Sequence, residues 1–171
     1  WSGSVSGTWS KIFSPYIVGG SILIASGKKL TIEPGVKVLV DTSLAGSSAK
    51  FTVEGTLDAL GTERDSILFS TIPSQQIPGK WQGLNIADRG IANLDYCRIS
   101  YSNIGVRIAE QSVSINHSTV KYCKGHGLMW DGNEGSASGQ IRNSTVRQNG
   151  GWGIVCDAYC EDANGDASPT I

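Results

Sequence analysis

Two stretches decide the fold: "SINHSTVKYCKGHGL" at 114–128 and "QIRNSTVRQNGGWGI" at 140–154. Both carry Ser-Thr-Val at their centre and close on glycine followed by an aliphatic residue. A third stretch, "LDYCRISYSNIGVRI" at 94–108, fits beside them. Leu94, Ile115 and Ile141 then align, as do Ile99, Val120 and Val146. Gly105, Gly127 and Gly153 follow, each preceding an aliphatic residue, at spacings of 22 and 26. Self-similarity at a nearly fixed period marks a solenoid, whose insertions fall in loops. Here the extra residues fall in "DGNEGSASG", 131–139.

Within each repeat the apolar residues alternate. Leu84 and Ile86 flank Asn85, Val106 and Ile108 flank Arg107, and Cys97 and Ile99 flank Arg98. A period of two means strand with one face buried, and no helical period is sustained. About three short strands fit in each repeat, separated by Gly, Asn or Ser positions where the chain turns. The first half carries the same theme: "KLTIEPGVKVLV" (29–40) set on "KFTVEGTLDALG" (50–61) aligns Leu30 with Phe51, Ile32 with Val53 and Val36 with Leu57.

Composition agrees. Of 171 residues 22 are Gly and only 17% are charged, which favours short strands and turns over helices. A net charge of −1 gives no electrostatic reason to expect nucleic acid as a partner. The longest apolar runs, such as "SILIA", are too short to span a membrane as a helix.

The phrases "LTIEPGVKVLV", "FTVEGTLDALGT", "ILFST", "GKWQGLNI" and the repeated "NSTV…GI" resemble the right-handed parallel β-helix repeat proteins, the pectate-lyase-like solenoids of secreted and cell-surface type. The resemblance implies an all-β, single-stranded parallel β-helix of about six coils over residues 21–171, with residues 1–20 as an aromatic-rich N-terminal cap and loops at 73–80, 131–139 and 157–168. It also implies a secreted or cell-surface location. It does not choose a function, because the fold hosts lyases, hydrolases, epimerases, adhesins and purely structural domains.

The residues themselves argue against catalysis. Enzymes of this resemblance place clustered acids, or acidic Ca2+ ligands with a basic residue, on an outer face. The outward rows here read Arg98-Thr119-Thr145, Ser100-Lys121-Arg147, Asn85-Arg107-Met129-Val155 and Asp95-Asn116-Arg142, with one acid among them. Glu33 and Glu54 align in the first-half register, in turn phrases. His117 and His126 lack a nucleophile context.

Four weaker features complete the inventory. Lys121 over Arg147 is a small basic ladder, suited to a solvated face or to an acidic polysaccharide. Trp81 and Trp152 stand at turns before the Gly-aliphatic strands, where exposed rings would stack on sugars. Asp162, Asn164 and Asp166 alternate in "CDAYCEDANGDASP" like the first half of a calcium loop, although Gly165 falls early and no bidentate Glu follows. Ca2+ is thus one reading and a polar turn the other; no cofactor is required. Cys156 and Cys160 are candidates for a disulfide, and Asn116 and Asn143 open Asn-x-Ser/Thr triplets that accept glycan.

The last residues, "SPTI", read as the opening of another coil with Ile171 over Ile141. The chain is therefore expected either to be continued by more β-helix or to meet a copy of itself head to tail. The expected function is a non-catalytic extracellular structural or adhesive module, able to assemble end to end into a filament. The alternative is a carbohydrate-binding or polysaccharide-processing domain, or a fragment of a larger such enzyme.

Overall fold

A computed structural model describes residues 1–46, 48–87, 89–109, 113–131, 138–157 and 168–170. The chain winds as a three-sided parallel β-helix. The first coil holds β1 (Gly3–Ser4), β2 (Gly7–Trp9) and β3 (Tyr16–Val18); the second β4 (Ile22–Ile24), β5 (Lys29–Ile32) and β6 (Lys37–Val40). A short helix, α1 (Thr42–Ala45), leads to β7 (Phe51–Val53), β8 (Thr56–Leu60) and β9 (Ile67–Thr71). The fourth coil holds β10 (Leu84–Ile86), β11 (Ile91–Asp95) and β12 (Cys97–Ser100); the fifth β13 (Val106–Ile108), β14 (Val113–Asn116) and β15 (Thr119–Lys121). The sixth holds β16 (Leu128–Asp131), β17 (Ser138–Arg142) and β18 (Thr145–Arg147), and β19 (Ile154–Asp157) and β20 (Ser168–Thr170) follow.

Every third strand belongs to the same sheet. The first sheet runs β1-β4-β7-β10-β13-β16-β19, the second β2-β5-β8-β11-β14-β17-β20, and the third β3-β6-β9-β12-β15-β18. All pairings are parallel, so equivalent residues of successive coils stack about 4.8 Å apart. The inward rows make one continuous core. Ile24, Val53, Ile86, Ile108 and Trp130 form one column, and Val38, Phe69, Ile99 and Val120 another. All nine are buried. Burying one such side chain stabilises by about 1.5–3 kcal/mol, and the column shares that gain along its whole length.

Residues 1–20, expected as a cap, supply one strand to each sheet, β1, β2 and β3, and so form a coil of their own. Trp9 and Tyr16 stack at 4.6 Å in the core, and Trp1 lies over both at 5.6 Å.

The repeat register holds for the second half. Leu94, Ile115 and Ile141 stack, as do Ile99, Val120 and Val146. The first-half register does not. Leu30 pairs with Leu57 and Ile32 with Ala59, whereas Phe51 pairs with Ile22 and Leu84. The two similar phrases therefore lie in different sheets. The cause is that apolar-x-apolar followed by a turn describes any strand of any coil, and α1 with its flanks lengthens this coil. Glu33 follows β5 and Glu54 follows β7, so the two carboxylates do not stack.

The corners of the second half differ from those of the first. Each strand region of the third sheet from coil four onward is bounded by two non-glycine residues with positive φ. They are Tyr96 (48°) and Tyr101 (63°), His117 (45°) and Tyr122 (57°), and Asn143 (50°) and Gln148 (56°). Four or five residues follow Tyr101, Tyr122 and Gln148 before the next strand, whereas between the second and third sheets the left-handed turn takes one residue at Tyr96 and two at His117 and Asn143. For a residue with a Cβ the left-handed conformation costs about 1–2 kcal/mol. Ring stacking offsets part of that: Tyr96 lies on His117 at 4.6 Å and Tyr101 on Tyr122 at 5.5 Å, each worth about 0.5–1.5 kcal/mol. Hydroxyls link the same corners: Cys97 N–H donates to Ser118 Oγ (2.9 Å), and Ser118 N–H to Ser144 Oγ (3.1 Å).

Candidate functional site

The third sheet's outer face, from β12 to β18, brings together cations, hydroxyls and aromatic rings. The pleat turns Arg98, Thr119 and Thr145 outward in one row, and Lys121 and Arg147 in the next. Arg98 and Arg147 are exposed and Lys121 is half-buried. Lys121 Nζ sits 5.0 Å from the centre of the Tyr122 ring, a cation over a π face. Arg147 Nη1 donates to Gln148 Oε1 at 2.8 Å. Both cations thus lean toward the corner where Tyr101 and Tyr122 stack. Among the described residues no carboxylate forms an ion pair with Arg98, Lys121 or Arg147. The opposite corner carries Tyr96 and His117, whose Nδ1 lies 2.9 Å from Asp95 Oδ1.

Lys121 and Arg147, paired by the sequence, are neighbours in register. Ser100, assigned to the same outward row, is buried instead: its hydroxyl donates to Ser70 Oγ at 3.0 Å, and the segment around 79–81 covers it.

Trp81 also departs from expectation. It is buried in the core, and its Nε1–H donates to the Ser100 carbonyl at 3.0 Å. With Val18, Val38, Val40 and Phe51 it lines a small apolar space left by the long third coil, and its ring is too deeply buried to offer a sugar a face. Trp152, in contrast, is 71% exposed. Its N–H donates to His126 Nδ1 at 3.1 Å, which fixes that histidine as part of a turn.

Cys97 and Cys123 are buried thiols, each raised above its ordinary pKa by loss of solvation, and so are poor nucleophiles. Cys123 accepts from Ser102 Oγ at 3.2 Å, and its N–H donates to Asn149 Oδ1. Cys156 is exposed on β19 and forms no disulfide among the described residues; its expected partner Cys160 lies outside them. Asp162, Asn164, Asp166 and Ile171 lie outside them as well. Among the described residues no three acidic, histidine or cysteine side chains gather as a metal site. No helix among them is long and apolar enough to cross a membrane.

A second concavity lies on the first sheet, lined by Lys50, Gln82, Asn85, Asn103 and Arg107. Its arginine is held by Asp131.

The aromatic corners were missed by sequence reasoning, which assigns left-handed turns to Gly and Asn. The available signal was the five-residue spacing of Tyr96–Tyr101 and His117–Tyr122. No family model, curated protein or solved structure matches the chain.

Proposed function

We propose that the chain is a non-catalytic extracellular adhesive module, a rigid rod whose third sheet holds an acidic polysaccharide. The observation that supports this reading most directly is the ladder of Lys121 and Arg147, with Arg98 in the neighbouring row, all unpaired with carboxylates among the described residues, the ladder lying beside the stacked rings of Tyr101 and Tyr122. Cations spaced by the coil repeat suit a polymer with regularly spaced negative groups. Flat rings and hydroxyls beside them suit sugar faces better than a bare phosphate chain. The resemblance to secreted β-helices supports the extracellular setting.

Calorimetric titration with a sulfated dextran, beside unsulfated dextran, tests the reading. Binding is expected for the sulfated polymer and weakens with salt. The double variant Lys121→Ala, Arg147→Ala is expected to weaken it about tenfold, two solvent-screened charge contacts at about 0.7 kcal/mol each. Equal binding of the neutral polymer, or an unaffected double variant, would sink the site. Release of new reducing ends from the polymer would overturn the non-catalytic part.

A further inference from the structure

The two Asn-x-Ser/Thr triplets look equivalent in the sequence and are not equivalent in the fold. Asn116 lies on β14, paired with Arg142 in the next coil. The second triplet is therefore shifted by one place, and Asn143 stands at the corner over His117, with its Nδ2 3.3 Å from His117 Nε2. In a period-two chain a shift of one residue reverses every side chain. It does so here. Ser118, third in the first triplet, pairs in space with Ser144 and points inward; Thr145, third in the second, points out.

The first triplet is consumed by the fold. Asn116 Nδ2 donates to Ser114 Oγ at 3.1 Å. Ser118 is buried; its hydroxyl donates to the Asn116 carbonyl at 2.7 Å and accepts from Cys97 N–H at 2.9 Å. A glycan on Asn116 would also have to leave between its row neighbours Asp95 and Arg142. In the second triplet Asn143 and Thr145 are both exposed. The left-handed φ of 50° at Asn143 suits asparagine and throws the residue onto a convex corner.

We infer that Asn143 is an N-glycan attachment site and that Asn116 is not. The donor class is an oligosaccharide linked to a polyprenyl pyrophosphate. Asn143 Nδ2 bonds to the anomeric carbon of the first sugar, the bond from that carbon to the pyrophosphate oxygen breaks, the pyrophosphate keeps the electron pair, and the amide gives up one proton. The attached glycan would stand at the edge of the third sheet, beside Thr145 and away from the Tyr101–Tyr122 corner.

The test is to secrete the protein from an N-glycosylating eukaryotic line and map its peptides by mass spectrometry, before and after an amidase that releases glycan and turns the acceptor asparagine into aspartate. A glycan on the Asn143 peptide and an unmodified Asn116 peptide are expected. Thr145→Ala is expected to abolish the modified form and Thr145→Ser to keep it; both changes fall on an exposed side chain that makes no hydrogen bond among the described residues. An unmodified Asn143, a glycan on Asn116, or a glycan that survives Thr145→Ala overturns the inference. Sulfated-dextran binding is scored separately and decides only the polysaccharide reading.

Discussion

The first three coils and the next three solve the same winding problem by different means. In the first sheet the second-half steps are nearly constant: 22 residues from Leu84 to Val106, 22 from Val106 to Leu128, and 26 from Leu128 to Ile154. In the first half they are 19, 29 and 33, from Gly3 to Ile22, Phe51 and Leu84. The early coils turn with loops, α1 and the glycine Gly35, and they wrap large side chains such as Phe51 and Phe69. The later coils pass from the second sheet to the third on one or two residues, with a strained backbone held by stacked rings and hydroxyl ladders. A solenoid keeps its register wherever its corners cannot lengthen, and loses regularity wherever they can.

The largest test strikes the junction of the two halves. Gly83 has a φ of 99°, and a Cβ there would lie 1.8 Å from the Ile104 carbonyl oxygen, a backbone atom fixed by the coil above. Gly83→Ala is expected to cost more than about 4 kcal/mol in denaturant unfolding, because steric conflict and backbone strain add. Full stability would mean that the halves are not locked in register there. Next comes Phe69→Ala, which opens a cavity in the early core and should cost about 3–5 kcal/mol. If hydrogen exchange then rises in coils one to three while coils four to six stay protected, the halves open separately. A uniform rise would make the rod one cooperative unit.

A smaller effect probes the strained corners. Gln148 pays for a left-handed φ without a stacked ring, whereas Tyr122 has one. Gln148→Gly is expected to raise stability by up to about 1 kcal/mol, backbone relief minus glycine's entropy. Tyr122→Gly loses the stack and should gain nothing in thermal unfolding. If both gain equally, the rings do not offset the strain.

The smallest effect is acid sensitivity of the early half. Asp58 is partly buried, which alone would raise its pKa, but hydrogen bonds from Asn93 (2.7 Å) and Lys29 and the charge of Lys29 hold it below its ordinary value. Asp41 is lowered as well, by the Ser43 hydroxyl and then the Ser43 N–H. A folded pKa below the unfolded one gives stability that is present above the ordinary carboxylate value of 3.8 and fades as pH falls through the folded value. The difference in melting temperature between the wild type and Asp58→Asn should therefore be seen near neutrality and vanish at the acid end. A constant difference would show that the carboxylate's charge contributes nothing.

This contrast also governs what the sequence could tell. Coils four to six were legible because at Tyr96, His117 and Asn143 one or two residues replace a loop and leave the apolar spacing intact. Coils two and three were misaligned because their alternation is equally regular but their corners vary in length. Trp81 read as a turn residue, since nothing local reveals that the long third coil leaves space for an indole. The ladder of Lys121 and Arg147 was legible from pairing alone. Its aromatic neighbours were not, because tyrosine at positive φ runs against its own local preference and is held there only by the next coil.

The paired left-handed residues have a consequence for how such a chain can change its length. Tyr96 and Tyr101, His117 and Tyr122, and Asn143 and Gln148 each enclose four residues. A fifth residue between them would reverse the side chains beyond it and put Arg98 or Lys121 into the core. This side of the molecule is therefore a ruler with fixed divisions. Growth is confined to whole turns, or to the far side, where the interval between Asp131 and Ser138 already holds the extra residues of the sixth coil.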